Sequence, residues 1–267
     1  MKKYWAFFRM RFINGLQYRA AAWAGVVTQF VWGFMELFLF DAFYRADPSA
    51  FPMDQQALAS YIWLQQAFFA MFTSWQWENE LFDSIASGNV AYELCRPVSI
   101  YNMWFTRSVA RRLSRAALRC LPVLLVASLL PTPYGMGLPD GPEAFAGFLI
   151  SMVLGLLLVS AFSMLVYMSA FYTISSQGIR IVATNLMDFL CGAIIPLPFL
   201  PDAAQGILAL LPFASMNNAP FRIYGGDIGG MEMAYTIGLQ VFWTVVLVAV
   251  GKWMEQRVKQ KIVVQGG

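Results

Sequence analysis

Apolar residues in this chain gather into six runs separated by polar or proline-bearing breaks. The pattern predicts an all-α integral membrane protein with six transmembrane helices. The runs lie near 20–43, 57–75, 116–130, 144–172, 181–200 and 233–250. A hydrocarbon layer about 30 Å thick is crossed by roughly 20 helical residues. The third run is short in strictly apolar terms. Its helix is expected to begin near Asn102 as a basic amphipathic extension and to stop at Pro131 and Pro133. The fourth is long enough, at about 44 Å, to tilt or protrude. The fifth carries Pro196, Pro198 and Pro201 at its outer end.

The segments between the runs have their own patterns. Residues 2–18 are too charged to span, yet Trp5, Phe8, Phe12 and Leu16 share one helical stripe. They read as a helix lying in the inner interface, with Arg9 snorkelling to the headgroups; the alternative is a disordered basic tail. Residues 76–115 form the largest polar stretch. Leu81 and Ile85 suit a short helix ended by Ser87-Gly88, and Val90–Leu94 suits a second turn before Pro97. In 201–230, Asp202 opens a helix through Leu211 that is too short to cross a bilayer. Pro212 and Pro220 break the chain, and paired glycines at 225–226 and 229–230 close it. An outer re-entrant segment of short helices fits, because non-helical backbone at membrane depth needs protein or a water-filled cavity to satisfy it; a loop resting on the outer interface is the alternative. No internal repeat is evident, so 1–267 reads as a single transmembrane domain.

Charge orients this layout. Tracing the chain through six spans puts sixteen of the eighteen Lys and Arg residues on one face, with only Arg45 and Arg222 opposite. Cytoplasmic segments carry the Lys/Arg excess, so both termini and the 76–115 loop are expected inside, with Trp75 and Trp77 at the inner interface. A short outer loop runs from Arg45 to Asp54 with Pro48 and Pro52. At 59% hydrophobic and 12% charged residues, the chain departs from the roughly 45–50% and about 25% of soluble domains. Its surroundings are a lipid bilayer. Nucleic acid is not expected, because the basic residues scatter along helix ends. Cys95, Cys120 and Cys191 avoid the outer loops, so no disulfide framework is expected. The start lacks the early apolar core of a cleavable signal peptide.

The available chemistry is narrow. Histidine is absent, and no phosphate-binding Gly-rich loop, paired carboxylates or cysteine cluster occurs at metal-ligand spacing. No catalytic site, metal or cofactor is therefore expected in this chain. The 76–97 segment sets Phe82, Ile85, Tyr92 and Leu94 among Glu78, Glu80, Asp83 and Glu93. Such an amphipathic helix docks in a partner's groove; folding against the inner interface is the alternative, although interfacial helices favour Lys and Arg on the polar face. Within the spans, Gln29 and Glu36 lie in the first and Asn185 and Asp188 in the fifth. A charge at membrane depth costs about 2.5–3.5 kcal/mol and usually faces a cavity or a partner. These four residues are candidates for a route taken by cationic or polar amphipathic cargo, or for a structural hydrogen-bonded set.

Together the interfacial N-terminus, the six spans, the large second loop and the broken helices before the last span resemble ABC-2 type permeases. These are the membrane subunits of ATP-binding cassette exporters. The run from Ser87-Gly88 through Glu93-Leu-Cys-Arg96-Pro97, followed by the basic stretch Arg107 to Arg119, is similar to the branch served by a separate ATPase. A looser likeness covers Leu211-Pro-Phe-Ala214 to Pro220. The resemblance implies a coupling helix near Phe82–Leu94 seated in the ATPase, with Phe82, Asp83, Ile85, Tyr92 and Glu93 at the contact. Gly88 would allow the turn, and Arg96 and Pro97 would set the exit direction. It further implies two ATPase copies carrying ATP and Mg, a second permease chain (identical or similar), and export of drugs or amphipathic molecules across a bacterial-type cytoplasmic (inner) membrane. The residues by themselves leave open an ATPase-independent channel or ion-coupled secondary transporter, an intramembrane enzyme, and a pure anchoring subunit.

Overall fold

The computed structural model describes residues 2–47, 53–73, 76–173, 175–192 and 195–261, and no strand occurs among them. Pro48, Pro52 and Trp75 lie outside the described residues. The helices are α1 (Lys2–Gly15), α2 (Arg19–Ala46), α3 (Gln55–Phe72), α4 (Asn79–Ala86), α5 (Val90–Leu94) and α6 (Ile100–Leu129). They continue with α7 (Pro142–Ser169), α8 (Ser176–Leu190), α9 (Asp202–Leu210), α10 (Asn218–Tyr224) and α11 (Gly230–Lys261). By length and composition, three of these can cross a membrane: α2, α7 with its 3-10 extension through Tyr172, and α11.

The other long helices depart from that standard for readable reasons. α3 has 18 residues, and Gln55, Gln56, Gln65 and Gln66 dilute its apolar character. α6 runs unbroken for 30 residues, with Pro122 inside and arginines filling its first half. Its start at Ile100 lies close to the position expected from the sequence. α8 differs most. The fifth apolar run is not one helix: α8 stops at Leu190, Cys191 caps it, and Gly192 turns the chain with φ of 78°. A left-handed residue just beyond the cap is a common helix terminator, and glycine adopts it without steric cost. A separate 3-10 turn, Leu197–Phe199, follows. At 15 residues, α8 is about 22 Å long.

The core forms around α3 and α7. Tyr61, Ile62, Trp63 and Leu64 of α3 are fully buried, and α3 packs against α2, α6 and α10. α7 packs against α6, α10 and α11. Outward faces remain apolar: Trp23, Val27, Val31 and Trp32 on α2, and Val241, Phe242 and Val245 on α11, are all exposed. Such contiguous apolar exposure suits lipid or another chain rather than water. α1 lies along α6, and its Trp5, Phe8 and Phe12 rings stack successively at 5.5 and 5.9 Å.

Irregular backbone is satisfied from within. α10 is almost wholly buried between α3 and α7, and the Tyr61 hydroxyl donates to Asn218 Oδ1 at 3.0 Å. Gln240 of α11 donates to the Ser215 and Ser151 carbonyls at 2.8 and 3.2 Å, and Trp243 donates to Leu210 O at 2.9 Å. The donors to Ser215 and Leu210 serve backbone that no helix completes, and the one to Ser151 ties α11 to α7. Arg112 performs a similar task elsewhere. Its guanidinium donates to Met71 O and Thr73 O, both at 2.9 Å, and to Ser163 Oγ at 3.0 Å. A cation therefore meets the orphan carbonyls at the end of α3 and ties α3 to α6 and α7.

Candidate coupling site

The segment 76–99 is a small folded unit seated on the ends of α6, α7 and α8. α4 and α5 occupy the two short helical stretches expected from the sequence. Gly88 joins them with φ of 76°, a conformation that side chains with a Cβ resist. Leu81 and Phe82 are buried on the inward face of α4, and Val90 on that of α5.

Specific polar contacts hold this unit down. Trp77 Nε1 donates to Thr184 Oγ1 at 3.0 Å, reaching α8, and the Glu78 N–H donates to the Tyr167 hydroxyl at 3.0 Å, reaching α7. Arg107 of α6 forms ion pairs with Glu78 and Glu80, and Arg111 stands 3.5 Å from Glu78. Trp104 Nε1 donates to Glu93 Oε2 at 2.7 Å. Arg180 donates to Asn79 Oδ1 at 2.8 Å while its guanidinium lies 5.0 Å from the Phe82 ring centre. The Arg107 hydrogen bond and charge hold the Glu80 carboxyl below its ordinary range. The unit is thus tied to α6, α7 and α8 at once.

The residues singled out from the sequence divide by exposure. Phe82 is 3% exposed and packs against Tyr167 at 5.0 Å and Trp77 at 6.4 Å. Ile85 and Leu94 are half-buried against the same cluster, and Glu93 is engaged by Trp104. Asp83, Gly88, Tyr92, Arg96 and Pro97 are exposed, Tyr92 at 75%. Phe82, expected on the docking face, is instead buried against the chain's own Tyr167 and Trp77. The exposed residues of the unit include Glu80, Asp83 and Tyr92.

The chain's two ends reach the same unit. Lys3 Nζ donates to Pro97 O at 3.2 Å. Ser99 Oγ donates to the buried Glu255 carboxylate of α11 at 3.0 Å, and the Tyr101 N–H donates to Glu255 Oε1 at 3.3 Å. A carboxylate at the start of α6 complements its exposed amides. Neither Glu255 nor Arg112 announces itself in one dimension, because each partner lies far along the chain.

The candidate pathway residues fall on two helices. Gln29 is buried and Glu36 half-buried on α2, which packs against α3 and α6. There Gln66 Nε2 donates to Glu36 Oε2 at 3.4 Å. Asn185 is exposed on α8 and donates to Ile181 O at 2.8 Å, with half-buried Asp188 one turn on. α8 packs on α7, so the two pairs belong to different seams. Among the described residues, no three His, Cys, Asp or Glu side chains gather as a metal site.

Comparison with known proteins adds a family. The model of a family described as ABC-2 family transporter protein matches residues 30–266. Searches of curated proteins and of solved structures found no match.

Proposed function

The chain belongs to the ABC-2 family of transporter proteins, and from that premise we propose that it is the permease subunit of an ATP-driven exporter whose ATPase is a separate chain. Two permease chains, identical or similar, form the pathway, and two ATPase copies dock on their inner loops. Six spans with both termini inside complete this reading. It is supported by the basic residues of one face, and by the contacts that bring Lys3 and Glu255 to the same loop.

The observation that carries the proposal is the 76–99 unit: an exposed aromatic and acidic surface backed by contacts to α6, α7 and α8. Closure of the ATPase pair on nucleotide pulls Tyr92 and its neighbours, and the clamp passes that motion to the three helices. Nucleotide biases the pathway only because one arrangement of these helices holds the closed ATPase pair more tightly. The pathway residues Glu36, Gln29, Asn185 and Asp188 then meet cargo during the change, and the expected direction is outward from an inner membrane.

Reconstitution with the ATPase tests this reading. Tyr92→Asp should lower ATPase binding and coupled hydrolysis while the permease remains folded. Unchanged binding and transport in that variant would remove the docking assignment. Transport by the chain alone in liposomes would instead establish the channel or ion-coupled reading.

A further inference from the structure

Arg107, Arg111, Arg115 and Arg119 follow one another at intervals of four, so they share one face of α6. That face forms a wall of a cavity of about 480 Å³ closed by α1, the start of α2 and the 76–80 segment. Arg11 of α1 enters from the opposite side, and its Nε is buried without a hydrogen-bond partner. Two carboxylates face these five guanidinium groups, Glu78 and Glu80, and both are engaged by Arg107. Arg115 reaches only the neutral Gln76 side chain, and among the described residues no carboxylate lies within ion-pair distance of Arg11, Arg115 or Arg119. Burial and then the charge of Arg107 lower the basicity of Arg11. Like charges at four-residue spacing repel, and among the described residues the cavity lining carries about three more guanidinium groups than carboxylates.

We propose that this cavity binds a phosphate-bearing anion of the kind carried by the headgroups of inner-leaflet lipids. Arginine forks grip phosphate oxygens in pairs, and several forks converge here. Tyr18 and Leu118 line the same space, giving an apolar border suited to the glycerol and upper acyl part of a lipid. The place also fits, since α1 carries its stacked aromatic stripe beside the cavity as a helix at a membrane surface does. The inference rests on the membrane orientation proposed above and is independent of the ATPase. Occupancy would couple α1 to α6 and to the Glu78–Glu80 end of the docking unit.

The test uses the purified full chain in neutral detergent without any ATPase, so its failure leaves the coupling proposal untouched. Dihexanoyl phosphatidic acid should raise the unfolding temperature saturably, as a ligand of the folded state does, while dihexanoyl phosphatidylcholine should not. Arg115→Gln with Arg119→Gln should weaken the response at least tenfold, and Arg257→Gln, outside the cavity, should leave it unchanged. A photoactivatable phosphatidic acid on the wild-type chain provides a readout independent of the variants. Label in the peptides holding Tyr18 or Leu118 supports the site. Inorganic phosphate matching the lipid in affinity supports the anion site and assigns it a soluble ligand. Two results would overturn it: an undiminished response in the double variant, or label confined to other regions.

Discussion

Phe82 and Tyr92 stand ten residues apart in one short unit, and the structure gives them opposite exposure, which a pair of alanine variants puts to the test. Phe82 is 3% exposed, touches Tyr167 and Trp77, and lies under Arg180. Removing a buried phenyl ring costs about 3–5 kcal/mol, and the lost aromatic pairs are part of that figure rather than an addition to it. Against a total stability of about 5–15 kcal/mol, Phe82→Ala should visibly lower the unfolding temperature of the isolated permease. Tyr92 is 75% exposed, so Tyr92→Ala should change stability by no more than about 0.5 kcal/mol. If Tyr92 is an anchor of the ATPase contact, its loss should cost at least about 2 kcal/mol of binding, near thirtyfold in Kd. Thermal unfolding in detergent and titration with labelled ATPase measure the two quantities on the same preparations. Comparable destabilisation by both variants, or full ATPase affinity in Tyr92→Ala, would refute the division between an outer contact and its inner support.

Three further outcomes follow from the same contacts. Arg112→Met strips three hydrogen bonds from α3 and α7 and should cost about 3 kcal/mol, with Arg112→Lys intermediate in chemical denaturation. Glu255→Ala removes the carboxylate at the start of α6 and should cost about 1–2 kcal/mol, seen as faster hydrogen exchange at the Tyr101 amide. The depressed Glu80 carboxyl contributes stability that is complete above its ordinary value of 4.5 and lost as pH falls through its lower folded value. Glu80→Gln should therefore flatten the acid limb of the stability profile, and because Glu80 is well exposed the change should be small.

Elements set by local chemistry were legible in the sequence, and those set by distant contacts were not. Apolar runs announced α2, α7 and α11, and Ser87-Gly88 and Pro97 bounded α4 and α5 closely. The Trp5–Phe8–Phe12 stripe is present as read. The fifth run misled because composition cannot show that Gly192 adopts a left-handed turn, which divides apolar sequence into α8 and a separate 3-10 turn. Phe82 was misplaced for a related reason. Amphipathic spacing identifies an apolar face but does not say whether the chain's own helices or a partner covers it, and Tyr167 and Arg180, which cover it, lie about 85 to 100 positions away. The four-residue spacing of the α6 arginines could be read in one dimension. The cavity it borders could not, since Arg11 and Tyr18 come from the other end of the chain.

The capping of α6 by Glu255 bears on biosynthesis. The carboxylate lies 156 residues after Ser99 and 154 after Tyr101. At about 5–20 residues per second, a ribosome needs roughly 8 to 31 seconds to deliver it after the loop has been made. Throughout that interval the loop's exit into α6 lacks this contact. Fastening comes only with α11, so the start of α6 gains its carboxylate partner late in synthesis, after every other helix among the described residues has been made.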